Sequence, residues 1–351
     1  MALPLLASLG WDAGLDLTWA SRDRVGHRPA RITRVDRSGY DLLTDDGPLR
    51  ATASATVLAA LATDSTATPC VGDWVAVRCW SDDRLTVEQV LPRRTAVVRA
   101  SVAGRSQGQV LAANHDVAMV VEPLHPEPDL GRVERLLALA WQSGARPVAV
   151  LTKADLVPDA HDIAADVASG AEGVDVHAVS CRTGAGIDGL RAYVGPGQTV
   201  ALLGASGAGK SSLTNCLAGV DVMATRALRG DGKGRHTTVH RELVQLPGGG
   251  IVIDTPGLRL VGLFAAADGI ARVFDDLEQL VLECRFNDCR HDTEPGCAVQ
   301  AAMSSGDLDP RRLDRWRKLQ REMLRTELRQ GARLRAAQLS RWKQLTRDRG
   351  R

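Results

Sequence analysis

Apolar and polar positions follow two rhythms along the chain. From residue 28 to about 100 they alternate in short runs: "ARITRVDRSGYDLLTDDG" changes face residue by residue around a turn, and "VGDWVAVRCW" and "RLTVEQVLPRR" follow with Gly, Asp and Pro as punctuation. Alternation at period two marks half-buried strands, and this texture predicts a small β-barrel or open sheet of the OB type. The intervening "ATASATVLAALATDSTATPC" is low in charge and reads as a loop or short helix. Residues 1 to 27 carry few structural signals and read as a mobile arm.

After Ala113 the rhythm changes. Apolar runs at 117–121, 147–151, 176–180 and 199–204 are separated by amphipathic stretches such as "LGRVERLLALAWQSG", and further runs follow at 241–246 and 250–254. Strands alternating with helices imply a largely parallel sheet covered on both faces, an α/β domain. Helical patterns from about 267 and again near 311–346 close the chain. The expected organisation is therefore multidomain: an arm (1–27), an OB-type β-barrel (28–103), an α/β domain (104–265) and a mainly helical domain with a basic tail (266–351).

Charge and cysteine content refine this picture. The formal charge of +2 conceals an Arg- and Lys-rich C-terminus, "RRLDRWRKLQREMLRTELRQGARLRAAQLSRWKQLTRDRGR", which suits an anionic partner. No stretch approaches the roughly 18 uninterrupted apolar residues of a membrane span, and the N-terminus lacks the charged leader of a secretory signal; a cytoplasmic protein without a membrane partner is expected. Three of the seven cysteines crowd between 284 and 297. In "CRFNDCRHDTEPGC", Cys284, Cys289, His291 and Cys297 form a closed set of three thiolates and an imidazole, suited to one structural Zn²⁺ with no open catalytic position.

The strongest chemical signal is "GASGAGKSS". Gly204, Ala205, Ser206, Gly207, Ala208, Gly209, Lys210, Ser211 and Ser212 follow an apolar run and open a helical one, the context a phosphate loop requires. Backbone N–H groups and the helix dipole hold phosphates, Lys210 reaches the β and γ phosphates as a catalytic cation, and Ser211 offers a hydroxyl to Mg²⁺. "IVIDTPG" supplies a D-x-x-G arrangement, with Asp254 for Mg²⁺ and Gly257 for the γ-phosphate. Between them "GDGKGRHTTVH" is the kind of Gly-rich stretch that nucleotide orders. It offers Thr237 or Thr238 as a further Mg²⁺ ligand, and His236 as a catalytic group able to orient water where Leu258 replaces the Gln that commonly follows D-x-x-G.

Guanine-reading signatures occur as well, but earlier in the chain. "LTKADL" places Thr152, Lys153 and Asp155 in an N-K-x-D-like arrangement: the Asp155 carboxylate would accept from guanine N1–H and the 2-amino group, and the Lys153 stem would pack on the base. Ser180 and Cys181 open "SCRTGAGI", matching S-A-x-T-G, with the Cys181 N–H aimed at guanine O6. Base-reading strands before the phosphate loop mean a circularly permuted GTPase, its new ends at the surface.

The permuted order, the barrel ahead of it, "GRHTTVH", "DTPGL" and "CRFNDCRHDTEPGCAV" resemble the ribosome small-subunit-dependent GTPase A family from about residue 28 to 310. The resemblance implies an OB-fold, a permuted P-loop GTPase and a zinc-binding domain in a monomer that binds GTP and GDP, acts late in 30S subunit maturation, and is stimulated by 16S rRNA. It favours Thr238 as the switch ligand. Thr152 departs from the usual Asn, which predicts loss of an amide that bridges to the phosphate loop and bonds guanine N7, and weaker guanine binding. The tail departs too, being longer and richer in Arg. Two other readings fit parts of the pattern: an RNA-binding protein with a nucleotide-sensing switch, and a P-loop ATPase with a zinc module. Tyr40, Trp74 and Trp80 are weighed as base-stacking groups against a plain core role.

Overall fold

The computed structural model describes residues 4–21, 26–100, 108–223, 241–255, 257 and 262–348, with side chains between residues 5 and 329. The expectations for His236, Thr237, Thr238 and Leu258 lie outside these residues. At the N-terminus the expected arm is two helices, α1 (Pro4–Ser8) and α2 (Ala13–Ala20). Asp12 caps α2, its carboxylate accepting from the Leu15 N–H at 3.0 Å. Leu6, Leu9, Trp11 and Leu15 are buried with Trp74, Ile251 and Ile253. The surface that orders this segment comes from distant parts of the chain, so its own pattern does not announce it.

The barrel follows as β1 (His27–Asp36), β2 (Gly39–Thr44), β3 (Gly47–Ala53), α3 (Ala55–Thr63), β4 (Trp74–Cys79) and β5 (Leu85–Val90). Antiparallel pairs β1–β2, β2–β3, β4–β5 and β1–β4, with β3–β5 parallel, close the sheet on itself. Ile32, Leu42, Val75, Val77 and Val87 fill the interior with Val57 of α3. The low-charge stretch is a helix because Ser54 caps it, accepting from the Val57 N–H. Tyr40 and Trp74 are 8% and 0% exposed, and both belong to the core, not to a stacking surface. β6 (Ala96–Ala100) pairs with β7 (Gly108–Ala113) and not with the barrel, which therefore closes at Val90, ahead of the expected boundary at 103.

The α/β region runs β8 (Val117–Pro123), α4 (Leu130–Gln142), β9 (Arg146–Thr152), α5 (Ala160–Ser169), β10 (Asp175–Ala178), α6 (Ile187–Arg191), β11 (Thr199–Gly204), α7 (Lys210–Ala218), β12 (Glu242–Gln245), β13 (Ile251–Asp254) and β14 (Gly262–Leu263). The spatial order is β10-β9-β8-β11-β13-β12, parallel throughout except for β12. Val- and Ala-rich strands suit a sheet buried on both faces. α4 is capped by Asp129, which accepts from the Arg132 N–H at 3.0 Å, and it buries Val133, Leu136, Leu137 and Ala140. The phosphate-loop strand β11 is thus central. The strands of the base motifs lie on one side of it and that of D-x-x-G on the other, a GTPase sheet threaded from a different starting point.

α8 (Ala267–Val273), α9 (Asp275–Leu282), α10 (Ala298–Ser305) and the 39-residue α11 (Pro310–Asp348) complete the chain. Arg312, 8% exposed, donates to Asp276 at 2.6 Å, to Glu134 at 3.2 Å and to the Val273 carbonyl at 2.8 Å, while Arg315 donates to Glu134 at 2.8 Å. Burial pushes the Glu134 carboxyl up, and the two guanidiniums oppose that shift. Charges this deep persist only when paired. The network fixes α11 across α4 and α9.

Candidate functional site

The carboxyl ends of β9, β11 and β13 meet at the centre of the sheet, the usual position for a ligand in an open α/β sheet. Gly204 ends β11 and Lys210 begins α7, so the intervening glycines turn the backbone toward the helix N-terminus. Gly209 caps α7 with φ +96°, a conformation that L side chains avoid. Ser206 and Gly207 are exposed at the loop tip. Lys210 is buried, and its ammonium donates to the Gly204 and Ala205 carbonyls, each at 2.9 Å. Burial lowers its pKa and the charge of Asp254 raises it. Two of three ammonium protons are used internally, which leaves one for a phosphate oxygen.

On the D-x-x-G side, Ser211 Oγ donates to Asp254 Oδ2 at 3.0 Å. An octahedral Mg²⁺ holds oxygens at about 2.1 Å, so neighbouring ligands lie roughly 3 Å apart. The spacing of this pair therefore suits one ion, shared directly or through water. Gly257 packs on the phosphate loop so closely that an added Cβ would come within 2.5 Å of Ser206 Cα. Only glycine permits that approach.

The base side is assembled by two turns. Lys153 adopts a left-handed conformation, φ 62° and ψ 33°, and begins a short 3-10 turn (Ala154–Leu156). Its ammonium donates to the His125 carbonyl at 3.4 Å. Ser180 Oγ donates to Asp155 Oδ1 at 2.6 Å, joining the two base motifs. Arg182 Nε donates to Asp155 Oδ2 at 2.7 Å. The Ser180 and Arg182 hydrogen bonds hold the Asp155 carboxyl below its ordinary value, so it is an anion at neutral pH. Burial, with Cys216 beside it, pushes the Cys181 thiol up to about 12 and leaves it a neutral, poor nucleophile; any part it plays falls to its backbone.

Thr152 corrects one expectation. Its hydroxyl donates to the Ala208 carbonyl at 2.7 Å, so the bridge from base motif to phosphate loop survives without the asparagine amide. This bond also joins the Thr152–Asp155 segment to the phosphate-loop motif. Arg182 escapes sequence reasoning because the S-A-x-T-G pattern leaves its position open. Of the aromatic candidates, Trp80 alone stays partly exposed, with the Arg78 guanidinium 3.9 Å from its ring centroid.

The second cluster forms where α9 gives way to a loop. Cys284 Sγ lies 3.5 Å from His291 Nδ1 and 3.8 Å from Cys297 Sγ, Cys297 Sγ lies 3.6 Å from His291 Nδ1, and with Cys289 all four ligand atoms fall within 4.8 Å of one another. A tetrahedral zinc with bonds of about 2.3 Å to sulfur and 2.0 Å to nitrogen requires edges of roughly 3.5–3.8 Å, so the donor set fits that ion. The surroundings support it. Gln300 and Arg317 donate to the His291 carbonyl at 2.5 and 3.0 Å, and Glu294 accepts from the N–H groups of Arg290, Asp292 and Thr293, which hold its carboxyl at about 2. We expect purified protein to carry a single tightly held zinc, and Cys289→Ser to lose it together with the fold of this loop, since structural zinc supplies folding free energy. Elemental analysis and a melting curve, taken without chelator, check both. Zinc-free parent protein of unchanged stability contradicts the assignment.

Residues 90–264 match the family described as RsgA GTPase. The chain is 52% identical over 343 residues to the small ribosomal subunit biogenesis GTPase RsgA of Streptomyces avermitilis, covering 96% of this chain and 91% of that protein. It is 43% identical over 354 residues to the protein of the same name from Opitutus terrae, covering 97% and 95%. Among solved structures it resembles YjeQ from Thermotoga maritima, with a TM-score of 0.58, 22% identity and coverage of 85% of this chain and 99% of that one. It also resembles YloQ, described as a circularly permuted GTPase, with a TM-score of 0.55, 23% identity and coverage of 86% and 96%. At these identities the structures bear on the fold alone.

Proposed function

The chain belongs to the RsgA GTPase family, and from that premise we propose that it binds the small ribosomal subunit late in the subunit's maturation and hydrolyses GTP there, with 16S rRNA as the stimulating surface. The observation that carries the nucleotide half of this reading is the Thr152–Ala208 hydrogen bond at 2.7 Å. It ties the segment that carries Asp155 to the phosphate-loop motif, which supports a single site for base and phosphates. The ATPase reading lacks a partner for Asp155, because adenine offers no donor pair to a carboxylate.

In this reading, backbone N–H groups of the loop and the N-terminus of α7 take the phosphates, and Lys210 adds its charge to the β and γ groups. Mg²⁺, held by Ser211 and Asp254 and, on the family resemblance, by Thr238, would neutralise charge that develops on the γ-phosphate oxygens. Water attacks the γ-phosphorus, the bond to the β–γ bridging oxygen breaks, and GDP and phosphate leave. Gly257, packed on Ser206, would follow the γ-phosphate through its N–H. The chain then runs to β14, where the Leu263 N–H donates to Glu322 of α11 at 3.3 Å, and Glu322 also pairs with Arg135 at 2.6 Å. Nucleotide state thus has a short route to the C-terminal helices, which together with the barrel would grip rRNA and let go after hydrolysis.

The test is GTP and ATP hydrolysis with and without purified 30S, 50S and 70S particles, together with co-sedimentation in GTP-analogue and GDP states. The proposal expects GTP turnover raised by 30S alone, and binding to 30S that depends on the nucleotide. Stimulation by all particles alike, or ATP turnover equal to that of GTP, would count decisively against it. Among the described residues no helix is long and apolar enough to cross a membrane.

A further inference from the structure

We propose that Arg182 is a latch on the base site: its guanidinium occupies the Asp155 oxygen that the guanine 2-amino group needs, and so sets both nucleotide affinity and the discrimination between guanine and bases without that group. The inference rests on the reading of Asp155 as the guanine-recognising carboxylate.

Three observations carry it. A carboxylate that reads a base must present its oxygens to the pocket, yet the Asp155 side chain is only 10% exposed. Its two oxygens are already engaged, Oδ1 by Ser180 Oγ at 2.6 Å and Oδ2 by Arg182 Nε at 2.7 Å. The two partners differ in kind. Ser180 is buried, and its hydroxyl also accepts from the Thr183 N–H at 3.2 Å, so it is built into the loop. The Arg182 side chain is 72% exposed and makes no other hydrogen bond among the described residues, so it can leave without disturbing the fold.

The exchange replaces one donor by another. Guanine offers N1–H and a 2-amino N–H, joined through one carbon, to the two carboxylate oxygens. The Arg182 guanidinium sets one donor, Nε, on one of those oxygens. Guanine must therefore displace it from Oδ2, while Ser180 stays on Oδ1. Hypoxanthine has N1–H but no 2-amino group, so an inosine nucleotide leaves that oxygen to Arg182. An exposed ion pair is modest in strength, which makes the latch a tuning device and not a lock.

Calorimetric binding of GDP and IDP to the full chain, parent against Arg182→Ala, tests this. The latch predicts GDP binding tightened about 2- to 5-fold, the range an exposed pair supports, with IDP nearly unchanged, so that the GDP-to-IDP affinity ratio rises. Weaker GDP binding in the variant would assign Arg182 to holding the carboxylate in place and overturn the proposal. Equal tightening for GDP and IDP, or no change in either, overturns it too. The base-site reading has its own readout: if Asp155→Asn leaves guanine preference over xanthine intact, that reading falls whatever Arg182→Ala does. If Asp155→Asn inverts the preference and Arg182→Ala weakens GDP, the latch alone falls.

Discussion

Replacing Asp155 with Asn should exchange guanine for xanthine specificity. The carboxylate presents two acceptors to two donors on guanine. Asparagine presents one acceptor and one donor, so its amide N–H₂ meets the guanine 2-amino group donor to donor and leaves both unsatisfied. Xanthine carries a carbonyl at C2 and keeps N1–H, which matches the amide on both counts. Ser180 supports this arrangement, since its hydroxyl donates to Oδ1 at 2.6 Å and would hold the amide oxygen in the same place, orienting the nitrogen toward C2. Sites that pair buried donors and acceptors reject a mismatched ligand strongly, because each orphaned group costs about 1–3 kcal/mol. A loss of GTP affinity on the order of 10²-fold, with XTP binding improved, is the expected result. Competition between GTP and XTP for the variant measures it directly, and a variant that still prefers GTP would show that Asp155 does not read the base.

How far the sequence alone reaches depends on where the information for each element lies. The phosphate loop is legible because its signature is local: one strand, one turn and one helix contain all the residues that matter, from Gly204 to Ser212. The cysteine cluster is legible for the same reason, since Cys284 to Cys297 span a single loop. The barrel strands are legible from alternation, but its end is not. β6 alternates like its predecessors, and only its pairing with β7 takes it out of the barrel. The two N-terminal helices lie at the other extreme. Leu6, Leu9 and Trp11 are ordered by contact with Trp74, Ile251 and Ile253, which local pattern cannot foresee. Trp74 belongs to that same contact, which is why an aromatic weighed as a base-stacking group is wholly buried. Thr152 teaches the opposite lesson. A residue judged by its lost amide turns out to keep the bridging bond through its hydroxyl, because the Ala208 carbonyl comes within 2.7 Å. Arg182 was hidden by the motif itself, which treats that position as free.

His236→Ala should leave GTP binding and association with the 30S subunit nearly intact while removing most of the subunit-stimulated hydrolysis. Four described polar side chains of the phosphate-loop and D-x-x-G segments have other commitments. Lys210 donates to the Gly204 and Ala205 carbonyls and Ser211 to Asp254, and in the proposed reading these groups would hold the phosphates and the metal. The hydroxyl of Thr255 is buried and donates to the Leu202 carbonyl at 2.6 Å. Leu258, where many GTPases carry a water-orienting Gln, has no polar atom to offer. His236 stands immediately before the paired threonines, one of which the family resemblance implies as a Mg²⁺ ligand, so a nucleotide that engaged Thr238 would draw the imidazole toward the phosphates. A neutral imidazole can accept from the attacking water and align it. If rRNA contact completes that placement, the stimulated rate depends on His236 in the way other assisted GTPases depend on a supplied group, an effect of roughly 10³- to 10⁵-fold. Single-turnover hydrolysis on saturating 30S subunits should therefore fall by about 10³-fold or more in the variant, with the unstimulated rate and GTP affinity changed only about 2-fold. A variant that hydrolyses GTP on the subunit at the parent rate would remove His236 from the chemistry. One that loses 30S association would instead make it a contact to the subunit.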